Sequence, residues 1–311
     1  MGWVKSGFIF CPNGQLPWAQ HSFLTPVPLQ LDSHTIRLYG GMRDSRGVSR
    51  IGWIDVDSSN PQQIKAVCDR PALDLGEAGM FDDNGMILGD VIKISETEIR
   101  MYYVGFQLVD QVKFLAFSGL AISNDGGTVF NRIQNTPILG RAPNAPFINA
   151  LHSIEVKNNC FRAWISCGNG WQKVNGINYP KYDCWTVSSQ NGVQWDVRDA
   201  KQILGCGPEE YRIGRPRVNR TLDGKYEMRV SSDTITKKYS CFCLQSQDGV
   251  AFSPKRIVEL PLGRVGSWDH EMTCYPARLD TTRGESYLFY NGNEMGRTGV
   301  GVARMETDLI D

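Results

Sequence analysis

The feature that most constrains this chain is an apolar, aromatic strand motif that recurs five times. It reads Arg37-Leu38-Tyr39-Gly40-Gly41, Met101-Tyr102-Tyr103-Val104-Gly105, Arg162-Ala163-Trp164-Ile165-Ser166, Glu227-Met228-Arg229-Val230-Ser231 and Tyr287-Leu288-Phe289-Tyr290-Asn291, at intervals of about 60 to 65 residues. An interval of that length holds four short strands with generous loops, so each copy marks one unit of a radial repeat. A second element follows the motif in three units: Ala121-Ile122-Ser123-Asn124-Asp125-Gly126, Val187-Ser188-Ser189-Gln190-Asn191-Gly192 and Leu244-Gln245-Ser246-Gln247-Asp248-Gly249. Each reads as a strand running into a tight Asp-Gly or Asn-Gly turn. The first unit carries a variant, Ile51-Gly52-Trp53-Ile54-Asp55-Val56-Asp57, and aromatics follow the three turns at Phe130, Trp195 and Phe252, where they pack between neighbouring units.

Ahead of each aromatic strand lies a segment expected to be innermost: 21–29, 82–92, 149–156, 212–219 and 271–279. The chain has 32 glycines and 15 prolines, and no stretch of ten or more residues keeps helical apolar spacing. The sequence therefore predicts an all-β fold, a five-bladed β-propeller of four-stranded antiparallel blades around a central funnel, as a single domain over 1–311. In such a fold each blade covers the edges of its neighbours, so many short strands coexist without exposed templates for aggregation.

Charge narrows the partners. Lys plus Arg and Asp plus Glu are 33 each, so no basic surplus exists to attract a phosphodiester backbone or an acidic membrane. No run approaches the ~18 apolar residues of a membrane span, and the segment from Met1 to Lys5 lacks a charged stretch leading into a signal-length apolar run, so a cytoplasmic protein is expected. The nine cysteines include no CxxC pair, which fits reduced thiols and no closed zinc site. With no heptads, the expectation is a monomer or weak dimer without a metal or cofactor.

Polar chemistry collects where the innermost strands begin. The first unit offers His21, with Arg43, Asp44 and Arg50 after its aromatic strand; the second opens with Asp82 and Asp83; the third offers Asn149 and His152. The fourth opens with Glu210, Arg212 and Arg215, and the fifth with Asp269, His270, Glu271 and Tyr275, followed by Asn291, Asn293 and Arg297. Asn, Asp, Arg and His suit sugar hydroxyls, and aromatic faces suit the C–H face of the ring. Carboxylates on facing walls suit glycosidic cleavage, one protonating the leaving oxygen and the other attacking or activating water. Asp83, Glu210 and Glu271 are the catalytic candidates; His21, Arg43, Asp44, Arg50, Asp82, His152, Arg212, Arg215, Asp269, His270, Tyr275, Asn291, Asn293 and Arg297 are the substrate-binding ones.

Taken with Ile9-Phe10-Cys11-Pro12-Asn13-Gly14, Arg43-Asp44, Ile51-Gly52, Phe81-Asp82-Asp83-Asn84-Gly85, Arg215-Pro216, Trp268-Asp269-His270-Glu271-Met272, Tyr290-Asn291-Gly292-Asn293 and Gly296-Arg297-Thr298-Gly299, the chain resembles the five-bladed propellers of glycoside hydrolase families 43, 32 and 130, and bacterial glycosylase-like members of that group, from about Trp3 to Ala303. The resemblance implies a funnel in which inner-strand acids act on a glycosidic bond without a covalent cofactor. Family 43 enzymes place an aspartate base in the first blade, a modulating aspartate in the second and a glutamate acid in the third. Here the first shows Gln20-His21 and the third Asn149 and His152, so only Asp82 or Asp83 of the second matches. Three outcomes stay open: an enzyme that hydrolyses or transfers a glycosyl group of a small glycoside or nucleotide-linked sugar, a non-catalytic sugar-binding propeller, and a glycoside phosphorylase.

Overall fold

A computed structural model describes residues 2–221, 223–236 and 239–306, so both ends of the 1–311 span lie outside the described residues. The chain is almost entirely β. Among the described residues the strands form five consecutive antiparallel meanders. Strand β1 (Gly2–Phe10) waits for the last of them, while β2 (His21–Gln30), β3 (Thr35–Arg43), β4 (Ser49–Asp57) and β5 (Ile64–Val67) make the first. The second is β6 (Met86–Lys93), β7 (Ile99–Gln107), β8 (Leu115–Ser123) and β9 (Asn131–Arg132); the third is β10 (Ile148–Lys157), β11 (Cys160–Val174), β12 (Ile177–Ser189) and β13 (Lys201–Leu204). The fourth has β14 (Glu210–Arg220), β15 (Tyr226–Thr234) and β16 (Tyr239–Ser246), with isolated bridges from Cys243 to Ile257 and Ser246 to Phe252 in place of a fourth strand. In the fifth, β17 (Cys274–Asp280), β18 (Ser286–Asn291) and β19 (Val300–Glu306) are completed by β1, which pairs antiparallel with β19 and ties the two ends of the chain together.

The meanders are not wholly separate sheets. Short parallel pairings join β8 to β10 at Ala116 and Phe117, and β12 to β14 at Tyr182, fusing the second, third and fourth into one continuous sheet. The innermost segments also begin later than the sequence suggests in two units, at Met86 rather than Asp82 and at Cys274 rather than Glu271. In both, the residues ahead of the strand belong to a folded loop.

The recurring motif explains how the meanders are held side by side. Tyr39, Tyr102 and Trp164, which the sequence places in the aromatic strands, donate to Gly127, Gly192 and Gly249 carbonyls in the tight turns of the next meander, at 2.8, 2.9 and 2.8 Å. Each turn is built by its own side chains: Ser246 Oγ accepts from the Gly249 amide, and Asp248 Oδ1 from the amides of Val250 and Ala251. An apolar ring is thus buried at each seam with its one polar atom satisfied. The fourth meander departs from this pattern, because Arg229 takes the position of the aromatic.

The first strands of all five meanders lie against one another in sequence, and β17 returns to β2, closing a ring. Each carries a register shift near its middle: Leu24/Val27, Leu88/Asp90, Leu151/Ser153, Gly214/Arg217 and Cys274/Ala277. The extra residues are β-bulges, which bend the strand and re-aim a side chain. Their backbone groups are met by side chains of adjacent strands: Thr25 Oγ1 accepts from Leu88 N, Asp90 Oδ2 from Ile154 N, and Ser153 Oγ from Val218 N.

Candidate active site at the ring axis

The bulges set out one residue per meander at the axis: Thr25, Gly89, His152, Arg215 and Tyr275. Thr25, Arg215 and Tyr275 have φ of 53°, 56° and 53°, left-handed conformations that cost ~1–3 kcal/mol each for residues with side chains. Each precedes a proline, giving Thr25-Pro26, Arg215-Pro216 and Tyr275-Pro276. That triple dipeptide was visible in the sequence and would have marked the bulges. Gly89 is glycine because an added Cβ would lie 2.2 Å from the Leu151 carbonyl oxygen.

Two arginines cross this axis from β14 to β6. Arg217 Nη1 donates to the Gly89 and His152 carbonyls and to Asp90 Oδ1, the last at 2.8 Å. Arg215 Nη1 donates to the Leu88 carbonyl at 2.6 Å, but its Nε and Nη2 are buried without a partner. Burial, followed by the neighbouring charge of Arg217, pulls the Arg215 pKa down to about 9. His152 is equally buried with Nδ1 unpartnered, and burial plus both arginines hold it neutral, far below its ordinary value.

Around Tyr275 gather groups from three other meanders. Its ring lies 5.4 Å from the Arg215 guanidinium and 5.9 Å, edge-on, from Tyr239; Arg43, Arg212 and Tyr182 are close enough to act on the ionisation of this neighbourhood. Arg43 is half-buried, its pKa lowered by burial, with Tyr275 opposing and Arg297 adding to the shift. Arg212 is paired with Asp233 at 2.7 Å. Tyr182 and Tyr239 join the candidate site without being marked by the sequence. Tyr182 lies inside β12, at its parallel pairing with Arg212, and Tyr239 opens β16; neither belongs to a motif, and only the closing of the ring brings them in.

Other candidate residues serve the walls. Two loops, 75–85 and 262–272, share one plan. Leu75-Gly76 and Leu262-Gly263 open them, Gly79 and Gly266 turn with φ of 90° and 86°, and Phe81-Asp82 and Trp268-Asp269 close them. A Cβ on Gly76 or Gly263 would meet the carboxylate of Asp82 or Asp269 at 2.0 Å in both cases. Asp82 is paired with Arg132 at 2.8 Å and Asp269 with Lys5 at 2.6 Å, the latter also receiving Tyr290 Oη and Ser267 Oγ. Both aspartates are buried behind the wall, anchoring their loops. The next positions, Asp83-Asn84 and His270-Glu271, are more exposed. Asp83 accepts from Gly79 N and Asn84 Nδ2; His270 Nδ1 lies 2.7 Å from the Ser267 carbonyl and its Nε2 lies 3.4 Å from Glu271, whose side chain is 68% exposed.

Asp44 caps the turn to β4, accepting from Arg46 N and Val48 N, while Arg50 bridges it to Asp74. Asn291 is fully buried and ties β18 to β2 through Thr25 N and the Phe23 carbonyl, and Asn293 accepts from the amides of Glu271 and Met272. Arg297 faces Glu294 at 3.7 Å, and the His21 ring bonds its neighbour Ser22. Glu210 lines an open groove of about 540 Å³ with Ser232, Thr234 and Ser240. Burial alone would raise its pKa, but a two-point pair with Arg256 and the Gly207 amide outweigh it and hold the carboxyl below its usual value.

Comparison with known proteins supplies the relatives. No protein-family model matches the chain. It is 30% identical over 306 residues to the uncharacterized protein Rv1502 of Mycobacterium tuberculosis (strain ATCC 25618 / H37Rv), covering 98% of this chain and 100% of that one. The chain belongs to the Rv1502 family. Protein MT1551 of Mycobacterium tuberculosis strain CDC 1551 / Oshkosh matches over the same length at the same identity. Among solved structures, a glycoside hydrolase superposes with a TM-score of 0.72 at 14% identity, covering 97% of this chain and 91% of its own. A putative glycoside hydrolase from Parabacteroides distasonis gives 0.66 at 13% (99% and 97%), and a thermostable family-43 glycoside hydrolase 0.64 at 14% (92% and 90%). At these identities the likeness is one of fold alone, a fold this chain shares with glycoside hydrolases.

Proposed function

We propose that the chain is a five-bladed β-propeller, each meander a blade, whose axial funnel takes a small carbohydrate and cleaves or transfers its glycosyl group in the cytoplasm. The observation that carries this reading is the closed ring of first strands, each bulged at one level, presenting arginine, histidine and tyrosine at the axis of a fold shared with glycoside hydrolases. In this reading Asp83 and Glu271, one position apart on two matched loops that flank the first blade, are the working carboxylates: Glu271 protonates the leaving oxygen and Asp83 activates water or the acceptor hydroxyl. Glu210, held ionised by Arg256, suits substrate binding or a base role rather than an acid role.

A binding-only propeller is the second reading, favoured by the engagement of Asp83 with Gly79 and Asn84 and of Glu210 with Arg256. The test is a product-detected screen of purified protein against small glycosides and nucleotide sugars, with and without phosphate, alongside Glu271→Gln and Asp83→Asn. Product that disappears in either variant supports the enzyme. Saturable binding with no product under any condition selects the binder.

A further inference from the structure

The ring of meanders has two faces, and they differ in polarity. Each first strand begins where the second strand of its meander ends and the third begins. The connections between second and third strands therefore share a face with His21, Arg43, Asp83 and Glu271. On this face those connections carry exposed apolar side chains: Leu108 in the second meander, Ile177 in the third, Ile235 in the fourth and Met295 in the fifth. Leu262 and Val265, the latter 98% exposed, stand on the loop that leads to Glu271. The opposite face is polar. Its turns are closed by their own hydroxyls and carboxylates, as Ser123 with Asp125, Thr221 with Asp223 and Ser246 with Asp248. Among the described residues none of those turns holds a large exposed apolar side chain, and Val156, at the end of β10, comes nearest. Val4, Ile64 and Ile133, also exposed, lie on or beside the outermost strands.

We propose that the face bearing the candidate site docks on a lipid surface, with Leu108, Ile177, Ile235, Leu262, Val265 and Met295 entering the boundary between headgroups and acyl chains. This goes beyond the carbohydrate reading and stands independently of it. Apolar side chains set out on four of five connections of one face, and kept from the turns of the other, mark that face for contact with something less polar than water. They belong to separate loops, and Asp110, Lys113, Lys173 and Arg264 are exposed on the same connections. A rigid protein partner needs a contiguous desolvated centre, which this spacing does not offer, and a second copy set face to face would close the axis. A fluid headgroup layer takes in separate side chains and leaves the charges between them hydrated. Those charges are of both signs and the formal net charge of the chain is zero, so the attraction is apolar and needs no acidic lipid.

The test is co-sedimentation of the full chain with phosphatidylcholine vesicles, for wild type, Leu108→Asp, Val265→Asp and, on the other face, Val156→Asp. Wild type and Val156→Asp should partition alike, at low and at high salt. Leu108→Asp and Val265→Asp should each weaken the partition by about tenfold, as expected when one aliphatic side chain is no longer buried. All three positions are exposed, and urea melts check that each variant is folded. Absence of wild-type partition at millimolar lipid overturns the proposal. So does a loss in Val156→Asp as large as in the other two, which would mean indiscriminate adhesion. Partition confined to vesicles containing phosphatidylglycerol and abolished by salt replaces apolar docking with electrostatic capture, and overturns it as well. Concentration-dependent dimerisation that Leu108→Asp and Val265→Asp abolish, without vesicle binding, assigns the face to a second copy instead. Soluble glycosides that bind while vesicles do not leave the carbohydrate reading standing and remove only the docking.

Discussion

Two buried arginines of the fourth meander do opposite things with the same chemistry. Arg229, 1% exposed, fills the seam position that aromatics fill elsewhere, and its Nε and Nη2 meet Glu259 at 2.7 and 2.8 Å and Glu227 at 2.9 Å. Burial would lower its pKa, but the charges of Glu259 and then Glu227 overcome this and raise it. Arg215, 5% exposed, has one carbonyl and no carboxylate among the described residues, and its pKa falls. With burial nearly equal, the difference is the counter-charge. At the seam the fold supplies it, and the arginine is a structural part; at the axis the fold withholds it. The seam cluster of Glu227, Cys243 and Glu259 even has the donor atoms of a cation site, but Arg229 and Arg278 already occupy those carboxylates.

The largest effect expected from this contrast is at the seam. Arg229→Met leaves Glu259 partly buried with only the Trp3 indole N–H beside it and Glu227 with only Arg278, and the chain should lose ~3–5 kcal/mol in urea-unfolding measurements. A loss below about 1 kcal/mol would erase the distinction. Arg215→Met removes an unmatched charge and one hydrogen bond, so the unfolding free energy should stay level or rise by ~1–2 kcal/mol. If Arg215→Met destabilises as much as Arg229→Met, Arg215 is structural after all.

His152 sharpens the same comparison through pH. It is held neutral in the fold, well below the ordinary value of 6.5, whereas in the unfolded chain it protonates near that value. Below pH 6.5 the unfolded state therefore binds more protons, and stability falls as pH falls, by about 1.4 kcal/mol per unit for one such group. Urea melts of His152→Gln between pH 6.5 and 5 should show a slope shallower than wild type by that amount. Parallel slopes would mean that His152 titrates freely in the folded chain.

How much of this was legible in the sequence follows from what each feature depends on. The five units were readable because strand, turn and aromatic recur locally, as in Ser246-Gln247-Asp248-Gly249, whose turn is built within six residues. The starts of β6 and β17 were misplaced because the preceding loops are ordered from far away, Asp82 by Arg132 and Asp269 by Lys5, the latter pair 264 positions apart. The axis was legible in part. Arg212 and Arg215 look alike in sequence, yet one finds Asp233 and the other finds only a carbonyl. Which arginine lacks a partner is a property of the closed ring, and no local pattern carries it.

The smallest effect on stability belongs to the residue with the largest expected effect on chemistry. Glu271 stands on a loop anchored from beneath by Asp269 and Asn293, and its own side chain is 68% exposed with His270 beside it at 3.4 Å. Glu271→Gln keeps the shape and removes the proton donor, so unfolding free energy should change by no more than about 0.5 kcal/mol, whereas turnover should fall by about 10²-fold or more if Glu271 is the acid. Asp269→Asn weakens the anchor instead and should cost both stability and turnover, because the loop that aims Glu271 is then loosened. Equal turnover in wild type and Glu271→Gln, with folding intact, would move the acid elsewhere in the funnel and leave the matched loops as walls.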